Sequence, residues 1–217
     1  PGLVMKAVKK APLMFWVQDL WPESLSATGA VKSRWVLDRV SSLVRFIYRG
    51  CDRVLVQSRA FVDRVRALGA DPKRILYYPN SAEELYRPVL RGPVPGSRVL
   101  PDGFRVMFAG NIGAAQSFET ILSAAETLRD HREIHWLILG DGRQSRWVHE
   151  EVARRDLSQC VHLLGRYPAE SMPDWFAQAE VLLVSLRKDP IFALTIPSKI
   201  QSYMACGRPI LAALEGE

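Results

Sequence analysis

Three glycine turns, one lysine and two carboxylates are the residues of this 217-residue chain whose types and spacing suit chemistry. In "AGNIGAAQS" (109–117), Gly110 and Gly113 precede a helical pattern. Glycine lets the backbone approach a ligand closely, and a helix start offers unpaired N–H groups at the positive end of its dipole. The turn therefore suits a phosphate, although it contains no lysine or arginine. It is neither a dinucleotide fingerprint nor a P-loop, because the third glycine and the Lys-Ser/Thr pair are missing. "LGDGR" (139–143) and "LGRYP" (164–168) are two further glycine turns, each after a strand pattern. Any one of the three reads equally well as a plain tight turn. Three at successive strand ends are harder to dismiss.

Lys199 offers the cation that the first turn lacks. In "TIPSKIQSYMACG" (195–207) it follows Pro197 and Ser198, in the first turn of a helix that Ser198 is placed to cap. A cation there opposes the helix dipole, which makes sense where an anion occupies the same spot. The competing reading is a solvated lysine. "QDLWPES" (18–24) sets Asp19 and Glu23 around Trp21 and Pro22 after a strand, either as a polar site or as a loop that buries Trp21. His131, His135, His149 and His162 show no metal-ligand spacing and read as structural or surface residues, so neither a metal nor a cofactor is expected.

The elements that must hold these residues alternate strand and helix, the pattern of parallel sheets covered by helices. Strands are predicted at 13–18, 52–58, 73–80, 104–110, 134–142, 160–165, 180–186 and 209–214, the first of them buried. Helices are predicted at 31–50, 58–70, 117–130, 144–156, 171–179 and 198–207. The first of these has Val36, Val40, Leu43, Val44 and Ile47 on one face, and Ser58 is the expected N-cap of the second. Periodicity fails between about 81 and 103, a Pro/Gly-rich stretch. The domain reading is therefore 1–88, a linker at 89–103, and 104–217. Three parallel strands leave apolar surface uncovered, and Glu217 directly follows a strand, so an internal fragment lacking N-terminal strands is expected.

A formal charge of +6 favours anionic partners: nucleic acid, a lipid surface or a phosphorylated substrate. The arginines are scattered and show no zinc-finger spacing or aromatic interleaving, which argues against nucleic acid. Cys51, Cys160 and Cys206 are odd in number and widely spaced, fitting a reducing cytoplasm better than a disulfide framework. No apolar stretch approaches the roughly 20 residues of a membrane span, and the start shows no signal-peptide cleavage pattern.

"DLWPESLSATG", "YYPNSAEELY", "FAGNIGAAQSFETILSAAETL", "LILGDG", "MPDWFAQAEVLLVSL", "TIPSKIQSYMACGRPIL" and "EGE" occur in this order. Together they resemble family 4 glycosyltransferases, most closely the fucosamine- and fucose-type branch of bacterial O-antigen and colanic-acid assembly. The resemblance implies an α/β GT-B fold, two Rossmann-like domains with parallel sheets facing a cleft. Residues 1–88 would then be an incomplete acceptor domain and 104–217 an incomplete donor domain. It also implies a retaining, metal-independent transferase that takes a UDP- or GDP-sugar as substrate. The acceptor would be polyprenyl-diphosphate-linked or a saccharide, at the inner face of a bacterial plasma membrane.

By the same likeness, Gly110, Asn111, Gly113, Gln116, Thr195, Ser198 and Lys199 would hold the donor. Gly140, Asp141, Gly142, Arg166 and Tyr167 would lie near its nucleoside, and Glu217 would make a further donor contact. Asp19 and Glu23 would be the catalytic carboxylates. Asn111 and Gln116 replace the family's arginine and lysine of the phosphate loop, and Ser202 stands where its second motif glutamate is usual. Lys6, Lys9, Lys10 and the arginines of 31–50 would meet anionic lipid or simply solvent. The alternatives are a non-catalytic nucleotide-sugar binding module and a GT-B nucleotide-sugar epimerase.

Overall fold

A computed structural model describes residues 1–93, 96 and 99–216. The chain divides into two compact units. One holds residues 1–80 together with 188–196 and the end of the chain, and the other holds 81–187 and 197–214.

In the first unit the order is α1 (Gly2–Lys9), β1 (Met14–Val17), α2 (Glu23–Ala27), α3 (Arg34–Gly50), β2 (Arg53–Val56), α4 (Phe61–Ala67) and β3 (Ile75–Tyr77). The strands form a parallel sheet in the order β1-β2-β3. Among the described strands β1 lies beside β2 alone, and the burial expected of 13–18 is met at Val17. Val17 is buried, but Met14, Phe15 and Trp16 are 62%, 37% and 41% exposed. Among the described residues, Phe15 meets the ring of Tyr48 on α3, and Trp16 meets that of Tyr78.

The inward face of α3 is centred on Val44 and Tyr48, both buried. Leu43, expected on that face, is exposed, because a helical residue points about 100° away from its neighbour. Ser58 does not cap α4. Its hydroxyl accepts from the Ala60 N–H at 3.1 Å two residues on, and Ala60 takes the cap position.

The second unit runs β4 (Phe104–Ala109), α5 (Phe118–Thr127), β5 (Ile134–Leu139), α6 (Ser145–Arg154), β6 (Val161–Gly165), α7 (Met172–Ala177), β7 (Val181–Ser185), α8 (Lys199–Ala205) and β8 (Ile210–Ala213). Its parallel sheet has the order β6-β5-β4-β7-β8. Successive residues of a strand point to opposite faces, and β4 shows it. Val106 and Phe108 pack with Phe118, Leu122, Val148 and Val152 of α5 and α6. Met107 and Ala109 pack with Trp175, Phe176 and Tyr203 of α7 and α8.

Full burial of Phe118 or Leu122 contributes about 2–3 kcal/mol each, whereas an exposed, solvent-screened pair such as Arg146–Glu150 contributes little. Packing therefore holds these helices on the sheet. Residues 81–103 group with this unit. Arg91 donates to the carbonyls of Ala177 and Gln178, and the Gln178 amide donates to the Gly92 carbonyl.

Candidate functional site

Strand order in the second unit reverses between β4 and β7, since their chain successors lie on opposite sides. In an open parallel sheet the loops leaving such a pair diverge, opening a crevice beyond the carboxyl ends. The chain leaves β4 into Gly110–Gln116 and leaves β7 into the segment leading to Lys199.

The glycine turn is held by main chain. Gly110 N–H donates to the Leu139 carbonyl, Ile112 N–H to that of Asp141, and Gln144 N–H to that of Ile112. Gly110 and Gly140 have φ of 143° and 131°, and a Cβ at Gly140 would run into the Gly110 carbonyl oxygen. Both positions therefore require glycine. Gly113 is extended and caps a 3-10 turn, Ala114–Gln116, after which Ser117 is left-handed and α5 begins. The helix expected from residue 117 thus begins where it was placed, with the 3-10 turn lying between it and the glycines. Among the described residues, the N–H groups of Asn111, Gly113 and Ala114 donate to no protein oxygen.

Lys199 is the first residue of α8. Its stem is partly exposed, yet Nζ is out of contact with solvent and has no hydrogen-bond partner. Nζ sits 3.8 Å from the centre of the Phe108 ring and 3.1 Å from where a Cβ on Gly110 would be. Burial lowers its pKa to about 8. Two more polar atoms of this unit, Gln116 Oε1 and Ser185 Oγ at the end of β7, are buried and unpartnered. Ser198 does not cap α8 with its side chain; the Gln201 amide, correctly oriented, donates to the Pro197 and Ser198 carbonyls instead.

Sequence reading missed Tyr203. Its buried hydroxyl accepts from Ala109 N–H at 3.1 Å and donates to the Ala109 carbonyl at 3.2 Å, tying α8 to the residue before Gly110. Burial pushes this phenol well above its ordinary pKa.

Beside the turn lies a pocket of about 230 Å³, lined in part by Gly140, Asp141, Ser145, His149, Leu163 and Arg166. Asp141 Oδ1 accepts from Ser145 Oγ and from Gly142 N–H, each at 2.7 Å, and these bonds hold its pKa below the usual carboxylate value. Arg166 lines this pocket. Tyr167 instead packs at a tilt against the buried Trp175 of α7, ring centres 4.5 Å apart, at the border of the core. Ser145 and His149 were not foreseen; one helical turn apart on α6, they reach the pocket only through the fold.

The remaining expected residues fall in the first unit. Thr195 donates to the Ile191 carbonyl at 3.4 Å. Asp19 is exposed. Glu23 Oε2, at the start of α2, is buried without a partner. Trp21 is 47% exposed, and it is Leu20, 2% exposed, that anchors this loop. Glu217 lies outside the described residues.

A family model described as glycosyl transferases group 1 matches residues 103–216, over half of the chain, and a glycosyl transferase 4-like domain matches residues 1–81. The chain belongs to the glycosyl transferases group 1 family. Among curated relatives, a protein of Pseudomonas aeruginosa named probable glycosyltransferase WbjE is 32% identical over 92% of the chain and 50% of its own length. The colanic acid biosynthesis glycosyl transferase WcaI of Escherichia coli K12 is 23% identical over 95% of the chain and 52% of its own length. The chain thus spans about half the length of the curated relatives it matches. The crystal structure of Anabaena HepE in complex with UDP and glucose shares the fold with a TM-score of 0.74, at 17% identity, over 99% of this chain and 56% of that one. The fold class is α/β of the GT-B type.

Proposed function

We propose that this chain is part of a retaining, metal-independent glycosyltransferase. It would transfer a deoxy or N-acetylated amino sugar from a UDP- or GDP-sugar to a lipid-linked or saccharide acceptor in bacterial surface polysaccharide assembly. The carrying observation is the Lys199 ammonium, buried without a hydrogen-bond partner beside a glycine turn in which the N–H groups of Asn111, Gly113 and Ala114 are also unfilled. A buried cation without a counterion is costly, and a diphosphate placed against Gly110–Ala114 would both neutralise it and take up those donors. The family match and a fold shared with a UDP-bound structure support a nucleotide-sugar donor; the WcaI relationship supports a polysaccharide acceptor.

In this reading the main-chain donors and Lys199 stabilise charge building on the departing diphosphate. The acceptor hydroxyl attacks from the face the diphosphate leaves, and the leaving phosphate takes its proton. Asn111 and Gln116 replace charged residues with neutral hydrogen-bonding ones. The pocket carrying Asp141 and Arg166 takes the nucleoside, and Asp19 and Glu23 orient the acceptor side. The protein works in the cytoplasm at the inner face of the plasma membrane.

Titration calorimetry with a panel of UDP- and GDP-sugars tests the donor site. One nucleotide class should bind, and Lys199→Met should weaken it at least tenfold. An affinity unchanged in the variant, or no binding by a sample that unfolds cooperatively, refutes the assignment.

A further inference from the structure

α3 is the longest helix among the described residues, 17 residues or about 25 Å of axis. Its inward arc holds Val44 and Tyr48. Its opposite arc is neither plainly polar nor plainly apolar. At 100° per residue, Trp35 and Phe46 fall within 20° of each other on the outer surface, with Arg39 beside them, Leu43 on one flank and Arg45 and Arg49 on the other. Trp35 and Phe46 are each 66% exposed and Leu43 is 56% exposed. The Arg39 guanidinium lies over the Trp35 ring, 5.2 Å from its centre. Among the described residues, no ion pair engages Arg34, Arg39, Arg45 or Arg49, and the single acid on α3, Asp38, falls on the flank between Arg45 and Arg49.

An ordinary solvated helix face has mixed charges and no large rings. A protein-binding groove has concave walls, whereas this surface is one convex helix with its rings outermost. Aromatic rings outward, arginines beside them and almost no acid is the composition of a helix lying in the plane of a bilayer interface, with rings at headgroup depth and guanidinium groups on lipid phosphates. α1 adds to this character. It is fixed by Lys6, which donates to the Gly50 carbonyl at 2.9 Å and pairs with Asp52 at 2.7 Å. That leaves Val4, Met5 and Val8 exposed at 64%, 50% and 69%, next in sequence to Lys9 and Lys10. No helix of the described chain is long and apolar enough to cross a membrane, so the contact is one of lying on the surface.

We infer that the outer face of α3, built on Trp35, Phe46, Arg39 and Arg49, docks the protein on an anionic lipid bilayer. The occupant is the charged lipid surface itself, matched by an excess of unpaired arginines around two exposed rings. This inference does not depend on the transfer reaction.

The test is co-sedimentation of the purified protein with sucrose-loaded vesicles of phosphatidylcholine alone or with 30% phosphatidylglycerol, at 0.1 M and 0.5 M salt. Binding should require phosphatidylglycerol and weaken severalfold at the higher salt, as screening demands. Trp35→Ser with Phe46→Ser should lower the partition coefficient at least tenfold, and so, independently, should Arg39→Glu with Arg49→Glu. Trp35, Arg39 and Phe46 point outward, whereas the Arg49 guanidinium packs over Gly69, so circular dichroism and melting temperature are compared with the parent's for both variants, and Arg39→Glu alone replaces the double charge reversal if that variant changes either. Absence of binding to anionic vesicles, equal binding to neutral ones, or retention by both variants overturns the inference. A parent that is dimeric by light scattering and made monomeric by the Trp35/Phe46 variant assigns the face to a second copy and also overturns it.

Discussion

Replacing Lys199 with methionine should stabilise the ligand-free protein. Burial lowers the pKa of this lysine from 10.5 to about 8, a difference that makes its charge cost about 3 kcal/mol at pH 7. The Phe108 ring 3.8 Å from Nζ returns about 1–2 kcal/mol through its quadrupole. The net strain is then about 1–2 kcal/mol, and a methionine that keeps the ring contact removes it. In a domain of this size the gain is roughly 3–8 °C in melting temperature. The sign with pH follows from proton counting. Between about 8 and 10.5 the unfolded chain holds the lysine proton more tightly than the folded one, so the parent gains stability as pH rises through that window. The variant lacks this gain, and its advantage should fade by about pH 10.5. Ligand reverses the order: a nucleotide at about 100 times its Kd adds about 3 kcal/mol to the parent, and far less to the variant. Urea melts followed by tryptophan fluorescence at pH 7 and pH 10, with and without the nucleotide, read all four conditions. A variant less stable than its parent without ligand at pH 7, or a gap that does not narrow at pH 10, refutes the account of a strained ammonium.

Two substitutions probe the frame around it. Gly140→Ala places a methyl against the Gly110 carbonyl at a φ of 131°, so it should cost about 2–4 kcal/mol; a loss below about 0.5 kcal/mol in urea melts would show that the two turns yield easily. Tyr203→Phe removes both hydrogen bonds to Ala109 and leaves a buried main-chain pair unsatisfied, costing about 1–3 kcal/mol. It should also weaken nucleotide binding severalfold by loosening the start of the turn, and calorimetry showing lost stability with full affinity would make Tyr203 purely structural.

The alternation of strands and helices was legible because apolar periodicity is a local property, and each predicted strand and helix has a counterpart in the structure. What failed depended on neighbours distant in sequence. β1 has the composition of a buried strand, but burial is set by what covers each residue, and in the described chain Val17 is covered while Trp16 is not. Ser58 and Ser198 have the side chains of caps, yet neither side chain caps its helix: Ala60 stands at the N-cap of α4, and Ser198 holds that position in α8 through its backbone alone. At the candidate site, Lys199 showed itself through its opposition to the helix dipole, and the glycine turn through its spacing. The Tyr203 clamp was invisible, since 94 residues separate it from Ala109. His149 looked like a surface histidine, and only the approach of β6 to α6 makes it part of a wall.

The crossing of the Gly110 and Gly140 turns also divides the site into parts that can be redesigned and parts that cannot. Where main chain rests on main chain, no side chain is present to exchange. Asn111, Gln116, Ser145, His149 and Arg166 surround that crossing and carry replaceable groups. A library aimed at changing what this unit binds should vary those five and hold Gly110 and Gly140 fixed, because any side chain on the glycines strains the crossing that carries the rest.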